Sequence, residues 1–88
     1  MAITRGELHK IRKALGLTLD EMGALMNVSG PHLHYIEKGS RPLRIEQVAM
    51  LTREIDLTPE RLVSLIAAYD AADTAKELAR QKLVVLAR

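Results

Sequence analysis

The chain has no cysteine, tryptophan or phenylalanine, and Tyr35 and Tyr69 are its only aromatic residues. Without cysteine there is no disulfide framework and no thiolate metal site. Without large aromatic rings, the core must be built from Leu, Ile, Val, Met and Ala, which dominate the 48% hydrophobic fraction. No apolar run approaches the roughly 18 residues that suggest a membrane span. The start of the chain lacks the basic region, apolar run and cleavage site of a secretory signal, so a cytoplasmic location is expected. There is no glycine-rich phosphate loop either, because Gly16, Gly23, Gly30 and Gly39 stand far apart. Serine occurs only at positions 29, 40 and 64, and Ser29 is better explained as a helix cap than as a nucleophile. The residues offer no catalytic constellation, no cofactor site and no enzyme activity.

What is present is helical punctuation. At 88 residues the chain suffices for one domain. Thr4-Arg5-Gly6-Glu7 has capping-box spacing, in which threonine and glutamate each satisfy a free amide of the other. Leu8, Ile11, Arg12 and Leu15 follow at helical spacing, and Gly16 provides a stop, so a first helix is predicted over about 5–15. Thr18-Leu19-Asp20-Glu21 is a second capping box, opening a helix over about 19–26. Gly23 inside it lowers helix propensity by about 1 kcal/mol, which points to close approach of the next helix. Ser29 caps a third helix with Pro31 in its first turn, and Gly39 ends it. A fourth helix is predicted over about 44–54, with Ile45, Val48, Ala49, Leu51 and Thr52 on or near its buried side. Thr58-Pro59-Glu60 opens a fifth. Over 70–88 either a break at Asp70–Asp73 with a new cap at Thr74, or one long helix from 59, fits the residues. Leu83-Val84-Val85-Leu86 alone also suits a strand; helix is the preferred reading.

The second and third helices are joined only by Asn27-Val28-Ser29, so they must cross steeply. Met22, Leu25, Val28, Leu33 and Ile36 would face inward, leaving Gly30, Pro31, His34, Tyr35 and Lys38 exposed on the third helix with His32 on a flank. Two helices so arranged present one to the major groove of DNA while the other props it. Charge agrees: residues 1–44 hold 7 Lys and Arg against 4 acids, and residues 45–88 hold 6 against 7. Phosphates would be met by the helix starts at Thr18 and Ser29 and by Lys38, Ser40, Arg41 and Arg44. His32 and His34 do not suggest metal, because residues two apart on a helix point about 200° from each other.

Residues 8–65 resemble the Cro and lambda-repressor-like helix-turn-helix family, also called the XRE family. The resemblance is carried by Arg12, Leu15, Gly16, Leu17, Thr18, Glu21, Val28, Ser29, Leu33, Ile36, Glu37, Gly39 and Arg41, then Leu57-Thr58-Pro59-Glu60-Arg61-Leu62. It implies an all-α, five-helix repressor-like domain, taken over 1–69; the residues of 70–88 are read as a C-terminal helical extension. It implies an ion pair between Arg12 and Glu37, and a recognition helix over 30–37 whose Gly30, Pro31, His32 and Tyr35 face bases or nearby phosphates; His34 joins the base readers. It implies a dimeric repressor or controller of transcription on a near-palindromic stretch of double-stranded DNA. Leu62, Ile66, Tyr69, Leu83 and Leu86 are the expected dimer surface. Two departures stand out. Leu19 replaces a glutamine that commonly holds a phosphate, and Gly30 and Pro31 replace long polar readers. They motivate an alternative, a protein-interaction module such as an antitoxin or antiactivator that masks a protein partner.

Overall fold

Four of the five helix starts among the described residues fall where a side chain satisfies a free amide of the first turn. The computed structural model describes residues 1–86, which form five α-helices and no strand: α1 (Arg5–Ala14), α2 (Leu19–Met26), α3 (Gly30–Lys38), α4 (Ile45–Glu54) and α5 (Pro59–Leu86). The Thr4 hydroxyl accepts from the Glu7 amide at 3.1 Å, and the Glu7 carboxylate accepts from the Thr4 amide at 2.9 Å. Thr18 and Glu21 repeat the pattern at the same distances. Ser29 Oγ accepts from the His32 amide at 3.1 Å, and Thr58 Oγ1 from the Arg61 amide at 3.1 Å. Gly39 closes α3 in the left-handed region at φ +86°, where a side chain would be strained.

α1 packs on α3 and α5, and α2 packs on α3 and α4. The core between them is aliphatic: Leu8, Ile11, Met22, Met26, Leu33, Ile36, Leu51 and Leu57 are buried. Leu25 and Val28 sit at its margin. The expectation for α4 needs correction, since Ile45 is 84% exposed and Ala49 is also exposed. The inward direction of α4 is set by Val48, Leu51 and Ile55. Ile45 and Ala49 lie roughly 90° and 130° around the helix from that direction.

Gly23 has a different reason from a helix–helix approach. A Cβ on it would stand 2.6 Å from the Val28 carbonyl oxygen and 3.3 Å from the Ser29 backbone. The methyl group would strike the turn itself, whose backbone has little room to yield. Gly23→Ala is therefore expected to lower stability by about 1–3 kcal/mol, although it gains about 1 kcal/mol in helix propensity. Chemical denaturation checks this, and a more stable variant would mean that the turn relaxes freely.

α5 runs for 28 residues without a break. Asp70–Asp73 do not interrupt it, and Thr74 caps nothing. Leu83–Leu86 are helical. Its first turns pack on the core through Leu62 and Leu65. Tyr69 meets the edge of His9, with ring centroids 6.1 Å apart, and Lys10 reaches Asp70 at 2.8 Å. That bond raises the Lys10 pKa above its ordinary value. Residues 71–86 are all exposed. The radius of gyration is 15.0 Å, against about 12 Å for a compact domain of this length. The excess comes from the free length of α5. Residues 87 and 88 of the expected extension lie outside the described residues.

Candidate nucleic-acid interface

The α2–α3 unit turns at Asn27, which takes the left-handed conformation at φ 59°. Asn27 tolerates that geometry better than most residues with a side chain. The turn leaves the outer face of α3 open. Pro31 and His32 are exposed there, Tyr35 is 51% exposed, and His34 is half-buried with its ring 5.6 Å from that of Tyr35, edge to face. Thr18, Leu19, Asp20, Gly30, Pro31, His34 and Tyr35 line a shallow recess between the start of α2 and this face.

Gly30 departs from the expectation of an exposed position: it is buried. The reason lies across the turn, where the Asp20 side chain and backbone of α2 press against its Cα. Helical spacing within α3 places residue 30 on the outer face, but it carries no information about what α2 lays over the first turn.

Lys38, Ser40, Arg41 and Arg44 are exposed, beyond the C-terminal end of α3 or on its last turn. The loop that carries them is anchored, because the amides of Ser40 and Arg41 both donate to the Tyr35 carbonyl, at 2.9 and 3.2 Å. Arg44 also opens α4, its amide donating to the Gln47 side chain at 2.9 Å. Arg5 belongs to the same neighbourhood and was not anticipated: its guanidinium lies against Gly39. A cation at the first turn of α1 is thus brought beside the end of α3. No spacing rule joins residues 5 and 39.

Behind the outer face of α3, Arg12 holds Glu37. Arg12 Nε donates to one carboxylate oxygen at 2.8 Å and Nη2 to the other at 3.1 Å, while Nη1 reaches the Leu17 carbonyl at 3.2 Å. Both side chains are over nine-tenths buried. His9 joins them, with Nδ1 2.7 Å from Glu37. Burial pushes the Glu37 carboxyl up, but the hydrogen bonds and charges of Arg12 and His9 outweigh burial and leave it below its ordinary value. At the start of α2, the Thr18 amide and hydroxyl lower Glu21 in the same way. His9 stands one helical turn before Arg12, which is the only signal in the sequence that it shares this cluster.

The expected dimer residues divide. Leu62, Ile66 and Tyr69 are half-buried in the chain's own packing, whereas Leu83 is 65% and Leu86 76% exposed. Among the described residues no group of His, Asp and Glu is arranged to hold a metal ion. No helix among them is long and apolar enough to cross a membrane.

Comparison with curated proteins and with solved structures returned no match. The family model for a helix-turn-helix domain matches residues 5–79, which takes in all of α1–α4 and most of α5. With its capped α2–α3 unit, its anchored basic loop and this match over most of its length, the chain belongs to the helix-turn-helix domain family.

Proposed function

We propose that this protein is a sequence-specific, double-stranded-DNA-binding regulator of transcription. It acts in the cytoplasm as a homodimer on a near-palindromic operator, and it represses or tunes its own promoter. The observation that carries the reading is the exposed outer face of α3 flanked by Lys38, Ser40, Arg41 and Arg44. Phosphate contacts from those residues and from the starts of α2 and α3 position the helix. Pro31, His32, His34 and Tyr35 then meet the base edges. Residues 1–69 form the reading unit, and the free length of α5 joins two copies.

The test is fluorescence anisotropy against the DNA upstream of the protein's own gene and a scrambled duplex, each at two salt concentrations. The expected result is salt-sensitive binding with about a thousandfold preference for the native sequence. Arg41→Ala should weaken binding to both duplexes alike and flatten the salt slope by about one unit. Weak and equal binding to both would remove control of its own promoter and favour a protein partner as the target of this face.

A further inference from the structure

The front of α3 offers no polar side chain at its first two residues, and a side chain of α2 lies there instead. Gly30 has none, and Pro31 offers no hydrogen bond. The space where a residue-30 side chain would begin is filled by α2: Asp20 Cγ lies 3.0 Å and the Asp20 amide nitrogen 3.3 Å from the position of a Gly30 Cβ, with a carboxylate oxygen closer still. Asp20 is exposed and lines the recess that also holds Pro31, His34 and Tyr35. Its neighbour Glu21 is committed to the Thr18 amide. Asp20 takes part in none of the side-chain hydrogen bonds or ion pairs among the described residues.

We infer that Asp20 is a base-reading residue, standing in for the missing side chain of position 30 and selecting cytosine in the major groove. The inference rests on the DNA-binding function proposed above. Its chemistry is that of an ionised carboxylate, which accepts hydrogen bonds and donates none. Cytosine presents its N4 amino group as a donor and no acceptor of its own along that edge. Guanine offers two acceptors and thymine one, so both repel a carboxylate, while adenine sets an N7 acceptor beside its N6 donor and matches it less well than cytosine. The repulsion between Asp20 and nearby phosphates lowers overall affinity while sharpening the choice at one base pair. Gly30 is part of the device, since a side chain there would displace the carboxylate.

The experiment is selection from a duplex library with a randomised core, by wild type, Asp20→Asn and Gly30→Ala, with thermal melting of each protein in parallel. Wild type should prefer cytosine at one position per half-site by about tenfold or more. Asp20→Asn should move that preference toward adenine, because an amide both donates and accepts, and should leave the other positions unchanged. Gly30→Ala should lose the cytosine preference at the same position while keeping the charge. A purely structural role predicts a lowered melting temperature and uniform loss across all sequences. That result, or an unchanged preference in both variants, overturns the assignment while leaving DNA recognition standing. If wild type enriches no sequence at all, DNA reading itself fails, and the role of Asp20 fails with it.

Discussion

Glu37→Ala is expected to destabilise the fold by about 3–5 kcal/mol, because it leaves a buried guanidinium without its partner. Arg12 is 7% exposed. Its remaining contacts, with the Leu17 carbonyl and the His9 ring, do not neutralise its charge. The loss reaches both ends of the molecule's logic, since Glu37 also gathers His9 from α1 beside the last turn of α3. Denaturant unfolding measures it, and a loss below about 1 kcal/mol would place the pair among ordinary surface ion pairs. The same carboxylate sets an acid dependence. Its native pKa lies below the ordinary value, so its contribution is fully present above the ordinary glutamate range of about 4.3. The contribution fades as pH falls through the lowered native value. Glu37→Gln should therefore be less stable than wild type at neutral pH, with a gap that narrows in acid. A gap independent of pH would mean that the carboxylate's charge plays no part.

For the homodimer proposed above, Leu83→Glu combined with Leu86→Glu is expected to abolish pairing of two copies and to weaken operator binding by about 10²–10⁴, the gain lost when two linked sites become independent. Both side chains face solvent in the single chain, so the reading unit should keep its circular dichroism and its thermal transition. Exposed Leu78, Val84 and Val85 extend the apolar surface of the free segment. Together these aliphatic residues are the surface through which the homodimer proposed above would pair. Sedimentation equilibrium gives the assembly state, and anisotropy on a full and a half operator gives the affinity. A double variant that still pairs and binds the full operator tightly would move the interface to another part of the molecule.

The local grammar of this fold was legible in the residues. Thr4 with Glu7, Thr18 with Glu21 and Ser29 before Pro31 mark helix starts because each oxygen answers an amide within the same turn. Gly16 and Gly39 mark stops by backbone freedom alone. Such rules act over a few residues, so sequence spacing captures them. What escaped was decided by neighbours far along the chain or across a turn. Ile45 fits the apolar spacing of α4, but its direction depends on which side α2 packs. Gly30 reads as outward until Asp20 is laid over it. Arg5 beside Gly39, and His9 between Arg12 and Glu37, follow from how α1 crosses α3. The extent of α5 was left open for another reason: alanines and scattered aliphatic residues continue a helix without giving it a face or an end.

That continuity makes α5 both a ruler and a compass. Because no loop separates the turns packed on α1 from the free turns beyond Asp70, rotation and length are locked together. Each residue added near Ala71–Ala75 would swing Leu83 and Leu86 by about 100° and carry them outward by about 1.5 Å. One extra residue would aim them in a new direction. Seven would return them to within about 20° of the original heading, roughly 10 Å farther out. In a pair joined through this rod, the separation of the two α3 helices is set by a count of residues and changes only in discrete steps.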